Sequence, residues 1–305
     1  MKKVAFIYSD IYLKHENPSF HPESEERLRS IVQHINKSGL AEKLIHLEPR
    51  KAQDSEILFV HDERYLDMLK NKGEGYLDPD TYKSKHSLEA ACYAAGALLT
   101  AVDACKSGQI ERAFCAVRPP GHHAERSAGM GFCLFNNIAV AARYAQKQGY
   151  ERVFIVDFDV HHGNGTQHMF EEDNTVFYFS THQYPYYPGT GSASETGKGN
   201  GKGFTRNVPM TYGSGDKEYL EVYEKLVPEL MNDFAPSMLL VSAGYDIHEK
   251  DPLAGIRVTT DGIRAIVRAI LNAAGSIPAI FTLEGGYNLS ALGQGVAATI
   301  EQMLL

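Results

Sequence analysis

The chain has 305 residues, 43% of them hydrophobic and 22% charged, enough for one large globular domain or two ordinary ones. Its 30 basic and 38 acidic side chains leave a formal net charge of −8. That balance argues against a non-specific nucleic-acid or anionic-membrane binder, either of which needs an electropositive face.

The chain opens on Met1-Lys2-Lys3 and the apolar run Val4-Ala5-Phe6-Ile7-Tyr8, which meets Ser9 and Asp10 too soon for the core of a signal peptide. A first β-strand is expected instead. Further apolar, β-branched runs predict strands at 113–117, 152–158, 176–180, 204–208, 238–243 and 279–283. Most are apolar almost throughout, as strands buried on both faces of a parallel sheet are. Helices are expected at 25–36, 86–106, 136–148, 216–232, 260–272 and 289–303. In the 216–232 segment Leu220, Tyr223, Leu226, Val227 and Leu230 recur at helical spacing, with Asp216 as N-cap and Pro228 expected to kink the helix. No window approaches the roughly 18 apolar residues that a membrane span needs.

Alternating β and α elements predict an α/β fold, a parallel sheet sandwiched between helices. No linker, repeat or charge block divides the chain, so a single domain over 1–305 is expected. The one odd stretch, 189–203, reads as a long glycine-rich loop. It is not a nucleotide-binding loop: Gly191 and Gly197 stand one residue too far apart, and Lys198 precedes Gly199 rather than Ser or Thr. The four cysteines, Cys92, Cys105, Cys115 and Cys133, form no C-x-x-C pair, which excludes a zinc ribbon or thioredoxin-like motif. Sparse unpaired thiols predict a reducing, cytoplasmic setting.

In an open parallel sheet, ligands bind beyond the carboxyl ends of the strands. There the unusual residues collect: Pro119-Pro120-Gly121-His122-His123 after one run, Asp157-Phe158-Asp159-Val160-His161-His162-Gly163-Asn164-Gly165 after another, Gly244-Tyr245-Asp246 and Glu284-Gly285-Gly286-Tyr287 after two more. Period-2 spacing sends Asp157, Asp159 and His161 to one face, where two buried carboxylates need a cation or hydrogen-bond donors beside them. Aspartate and histidine two apart suit a borderline metal such as Zn²⁺, the alternative being a polar core that satisfies itself. Adjacent histidines on extended chain point apart, so His122 and His123 share one site only if the backbone bends; otherwise one of them packs. Asp246 is either a third ligand or a solvated loop aspartate. Tyr287 is either a packing tyrosine or a donor to a developing oxyanion. His162 reads as supporting or structural, and His168 as a helix-surface residue.

RPPGHHA at 118–124, GFCLFNN at 131–137, DFDVHHGNG at 157–165, YPGTG at 187–191, AGYD at 243–246 with DPLAG at 251–255, and LEGGYNL at 283–289 resemble the histone deacetylase superfamily. HPESEERL at 21–28 is similar to its N-terminal signature, with Ser24 where arginine is common. The resemblance spans essentially the whole chain. Asn164 and the Glu284-Gly285-Gly286-Tyr287 run resemble the class II branch and bacterial acetylpolyamine amidohydrolases more than class I.

The resemblance implies a three-layer α/β/α arginase–deacetylase fold with a mostly parallel sheet of about eight strands. It implies one catalytic Zn²⁺ on Asp159, His161 and Asp246, and zinc-dependent hydrolysis of N-acetyl amides. His123 would be general base and later acid, paired with Asn164; His122, paired with Asp157, would be its electrostatic partner. Tyr287 would donate to the tetrahedral oxyanion. Gly131, Phe132, Tyr187 and Leu253 would line the tunnel for the acylated chain, and Arg27 would face an acetate-release channel. A structural K⁺ would involve the Ser180 hydroxyl. The expected partner is an acetylated lysine side chain or, alternatively, an acetylated polyamine, with no direct nucleic-acid or membrane partner. Leu253 at the DPLAG position favours acyl-lysine; Tyr187, where lysine deacetylases commonly carry phenylalanine, also suits polyamine enzymes. An arginase-like binuclear manganese site would need an aspartate where Gly163 stands. A non-catalytic acetylamine binder would have no need of Tyr287 and both histidines.

Overall fold

The computed structural model describes residues 2–305. Eight parallel strands form one sheet: β1 (Val4–Ile7), β2 (Ile45–Leu47), β5 (Arg112–Cys115), β6 (Val153–Asp157), β7 (Val176–Gln183), β8 (Thr205–Met210), β9 (Met238–Ala243) and β10 (Ala279–Leu283). Their order across the sheet is β2-β1-β5-β10-β9-β6-β7-β8. A two-residue-per-strand hairpin, β3 (Gly75–Tyr76) and β4 (Tyr82–Lys83), stands apart from it. Six of the central strands are buried along their whole length, which explains their near-continuous apolar sequences. β8 is an edge strand, half exposed, and tolerates Pro209 because it has a partner on one side alone.

The helices are α1 (Glu26–Lys37), α2 (Asp54–Ile57), α3 (Glu63–Asn71), α4 (Ser87–Lys106), α5 (Asn137–Lys147), α6 (Asn164–Phe170), α7 (Asp216–Phe234), α8 (Thr260–Ala274) and α9 (Leu289–Met303). On one face α1, α9, α8 and α7 pack in series; on the other α4 and α5 lie against the strands, with α2 and α6 beside α5. Three layers result, as the resemblance implies.

Several expectations need correction. The sequence of α4 is apolar enough to span a membrane by length and composition, with mean hydropathy 1.3 over an 18-residue window, although no such window was expected. It is a core helix: most of it is buried, and at Gly96 the backbone of Arg50–Ala52 comes so close that any Cβ would collide with it. Helix α7 is capped by Gly215, whose N–H donates to Glu218 at 2.9 Å, rather than by Asp216. The Asp216 carboxylate instead accepts from the Thr259 N–H and hydroxyl, both at 2.7 Å, and so ties α7 to the start of α8. The helix runs on through Pro228, and its buried stripe is Tyr219, Tyr223, Val227, Met231 and Phe234. Leu220, Leu226 and Leu230 flank that stripe half-buried. The glycine-rich loop contains a short 3-10 turn at Gly199–Gly201.

Candidate active site and metal centre

The four strand ends singled out in the sequence belong to β5, β10, β9 and β6, four consecutive neighbours in the sheet. Their register is level: Cys115 pairs with Thr282, Thr282 with Ser242, and Ser242 with Asp157. The turns beyond these ends therefore open into one basin.

Past β6 the backbone leaves the strand at Asp157, and the Asp157 carboxylate accepts from Asp159 N at 3.2 Å while Asp159 accepts from His161 N at 2.9 Å. Successive carboxylates thus curl the chain so that Asp159 and His161 face Asp246, and the ligating atoms of the three lie within 4.8 Å of one another. His161 Nδ1 is 3.1 Å from Asp159 Oδ1 and 3.3 Å from Asp246 Oδ2. Those spacings match the ~3.3 Å edge of a tetrahedron with ~2.0 Å legs, the size of a zinc site. Asp246 Oδ2 is buried and has no hydrogen-bond partner, an orphan that a cation would satisfy. Burial, with the Asp159 charge next to it, pushes the Asp246 carboxyl up to about 7. Two carboxylates and one imidazole, with a protein position left open, fit the donor set of a catalytic zinc. Gly285 has to be glycine here, because its Cβ would strike the carboxylates of both Asp246 and Asp159.

The bend needed at the paired histidines is present. Ala124 N bonds back to Gly121 O at 3.1 Å, and the two rings lie 4.0 Å apart in one site. Glu284, fully buried, holds this turn: it accepts from Gly121 N at 2.7 Å, His122 N at 3.2 Å and the Ser242 hydroxyl at 3.0 Å. From the other side Asn136 caps α5 by accepting from Ala139 N at 3.0 Å while its amide donates to Ala124 O at 3.2 Å. His122 Nδ1 lies 3.0 Å from Asp157 Oδ2, which also accepts from the Tyr178 hydroxyl at 3.1 Å. His123 Nδ1 lies 2.8 Å from Asn164 Oδ1. Burial lowers His122's affinity for a proton, but the charges of Asp157, Asp159 and Glu284 outweigh it and carry the pKa up to about 10. For His123, burial and then the charges of His122 and His161 act in the same direction, holding it well below its ordinary value.

Above these groups a slot opens, with about 110 Å³ of space accessible to water, walled by Gly131, Phe132, Tyr187, Leu253 and Tyr287. Phe132 adopts a left-handed φ of 70°, unusual for a bulky residue. Its N–H donates to Thr81 Oγ1 at 2.9 Å and its ring meets His21 edge-on at 4.6 Å, which keeps it there. Tyr187 stands edge-on to His123 at 5.2 Å on the opposite side. Asp251 accepts from Leu253 N at 3.1 Å and Tyr287 N at 2.6 Å and so joins the two loops. Among the described residues the Tyr287 hydroxyl has no hydrogen-bond partner; it is a free donor at the slot.

Residues 21–303 match the histone deacetylase domain family. A probable deacetylase of Archaeoglobus fulgidus is 40% identical over 295 residues, covering 93% of this chain and 81% of that protein. The chloroplastic histone deacetylase 10 of Oryza sativa is 40% identical, covering 94% and 70%. The crystal structure of the HDA15 HD domain superposes with a TM-score of 0.95 at 35% identity, over 99% of this chain and 88% of that one. The chain belongs to the histone deacetylase family. With the family comes the activity class, hydrolysis of acetyl amides.

In this deacetylase the structure brings together Asp159, His161, Asp246, His122, His123, Asp157, Asn164 and Tyr287, together with the four slot residues. Two predicted residues sit elsewhere. Ser180 lies one strand away, level with Asp157, its hydroxyl 2.9 Å from His182 Nδ1. Arg27 is buried behind the site, donating to Gly286 O at 2.7 Å, to Glu284 O, and to Glu23 at 3.1 Å, with Tyr287's ring 5.1 Å from its guanidinium carbon. His162 is buried against Gln167 and Thr190, a brace for the glycine-rich loop. The sequence reading gave no role to Glu284, Tyr178, Thr81, His21 or Asp80. Asp80 also lines the slot, its carboxyl raised by burial and by neighbouring Asp78.

Proposed function

We propose that the chain is a zinc-dependent deacetylase of acetyl-lysine in proteins or peptides. The observation that carries this reading is the orphaned Asp246 Oδ2 within a three-ligand cluster at the floor of an aromatic-walled slot. Zinc, when bound, polarises the acetyl carbonyl and makes a water acidic near neutral pH.

The chain's own groups do the rest. Phe132 and Tyr187 sandwich an alkyl chain and exclude water from it. His123, kept neutral by burial and paired with an uncharged carboxamide, takes the proton of the attacking water at Nε2 and returns it to the leaving amine. His122, held protonated by Asp157, faces the same developing negative charge as a fixed cation. Tyr287 donates its unpartnered hydroxyl to the carbonyl oxygen as that oxygen becomes an oxyanion. Leu253 at the rim supplies no charge to bind a free ammonium, which favours the lysine side chain.

A second reading rests on Asp80: a carboxylate at the slot, backed by Asp78, complements the cationic tail of an acetylated polyamine. Side-by-side kcat/KM values for an acetyl-lysine peptide and for acetylated polyamines test the two. The first reading expects the peptide to win by tenfold or more, about 1.4 kcal/mol of differential transition-state binding. A polyamine preference of that size would replace it.

A further inference from the structure

The turn that carries the paired histidines ends in Glu125, which the mechanism above leaves unused. Its Oε1 accepts from Asn164 Nδ2 at 2.6 Å and lies 2.8 Å from His168 Nδ1. A line of side chains therefore runs from His123 through Asn164 and Glu125 to His168 on the partly exposed side of α6, where its side chain is 39% accessible.

An aspartate at position 164 would accept a hydrogen bond from His123 equally well through either oxygen. A carboxamide has two unlike ends, and one orientation alone offers His123 an acceptor. The amide therefore decides which ring nitrogen carries the proton. With Oδ1 inward, the proton sits on His123 Nδ1 and Nε2 keeps the lone pair that a base needs. Turned over, the amide N–H would confront Nδ1 and drive the proton to Nε2. In a serine protease the analogous wrong tautomer costs about 10⁴ in rate.

Something must hold the amide in place. Asn164 Nδ2 has two other neighbours, His123 O at 3.3 Å and Met130 Sδ at 3.4 Å, a long bond and a weakly accepting thioether. Glu125 is nearer than either and is charged, and an ionised carboxylate can only accept. A flipped amide would set its oxygen against that carboxylate. We propose that Glu125 is a positioning residue: it fixes the carboxamide of Asn164 and, through it, the tautomer in which His123 is a base.

This inference rests on His123 as the base, and its test is separable from that reading. Four zinc-loaded proteins are compared: the natural chain, Glu125→Ala, Asn164→Asp and the double variant. Glu125→Ala is expected to lower kcat about tenfold, the worth of one charge-assisted hydrogen bond, with KM and zinc content unchanged. Asn164→Asp beside Glu125 sets two carboxylates against each other and lowers kcat as well. In the double variant the aspartate has no orientation to lose and no charge to oppose it, so kcat rises above both single variants. Losses that simply accumulate would overturn the proposal. If Glu125→Ala fails to fold, the same reversal is read with Glu125→Gln, which relieves the repulsion in the Asn164→Asp background. Imidazole ¹⁵N shifts of His123 give an answer independent of turnover: the Nδ1–H form in the natural chain and a mixture in Glu125→Ala. An unchanged tautomer sinks the inference, whereas a natural chain inactive on acetyl amides sinks the functional reading alone.

Discussion

His122 and His123 are neighbours in sequence and 4.0 Å apart in space, yet they belong to different regions of the molecule. His122 points at the floor, where the ends of β6 and β10 supply Asp157 and Glu284 at almost full burial. His123 points at the wall, where α6 supplies a neutral carboxamide. Both rings are buried, so burial alone cannot separate them; the charge of the partner does. The charges of Asp157, Asp159 and Glu284 raise the pKa of one imidazole, while burial and the charges of His122 and His161 lower that of the other.

The strongest way to break this contrast is to remove each ring in turn. His123→Ala should cost about 10³-fold in kcat, the scale of a lost general base, and His122→Ala clearly less. Equal losses in a kinetic comparison would erase the division of labour. Tyr287→Phe comes next: kcat should fall about 10²- to 10³-fold while metal analysis finds zinc retained, as expected for one lost oxyanion donor.

A third histidine extends the contrast beyond the site. His61 accepts from Asn136 N at 2.9 Å in a buried setting, and burial brings it down to about 4. Its folded pKa lies below its unfolded one near 6.5, so the unfolded chain takes up the proton first as pH falls. Stability is therefore complete above about pH 6.5 and is lost on the way down to about 4, by up to ~3 kcal/mol from this residue. Denaturant melts between pH 7 and 4 should show that slope, and His61→Gln should flatten it. The smallest expected effect belongs to the rim. Asp80→Asn should weaken kcat/KM for acetylated polyamines a few-fold more than for a neutral acetylated amine, roughly 0.5–1 kcal/mol for a partly exposed charge pair.

The strands that position the site were legible because buried parallel strands are written as apolar runs, and β9, β10 and α9 match their expected limits residue for residue. The segments just past those strands were legible too, since glycine, histidine and carboxylate have no reason to cluster there otherwise. Strand β2 was not, being two half-buried residues with an exposed histidine between them. Helix α3 has a buried stripe of Tyr65, Leu66 and Leu69 that periodicity could have found. Helix α6 begins inside the Gly163-Asn164-Gly165 run, which on propensity reads as a turn. The slot rim was beyond sequence reasoning because it is assembled at long range: Asp78 accepts from Thr81 N at 2.6 Å, Thr81 holds Phe132, and His21 packs on the same ring. Glu284 stood out only as part of a motif; its role depends on reaching β5's turn from β10, a contact that spacing along the chain does not reveal.

Under the proposed function, catalysis by these groups depends on one divalent cation at Asp159, His161 and Asp246, the cluster whose ligating atoms lie within 4.8 Å of one another. The most direct test is turnover of an acetyl-lysine peptide by chelator-treated protein during titration with zinc. Activity should be absent without metal and rise to a plateau at one equivalent, with Asp246→Ala silent throughout. Full turnover by metal-free protein, or a plateau that needs two equivalents, would contradict that dependence.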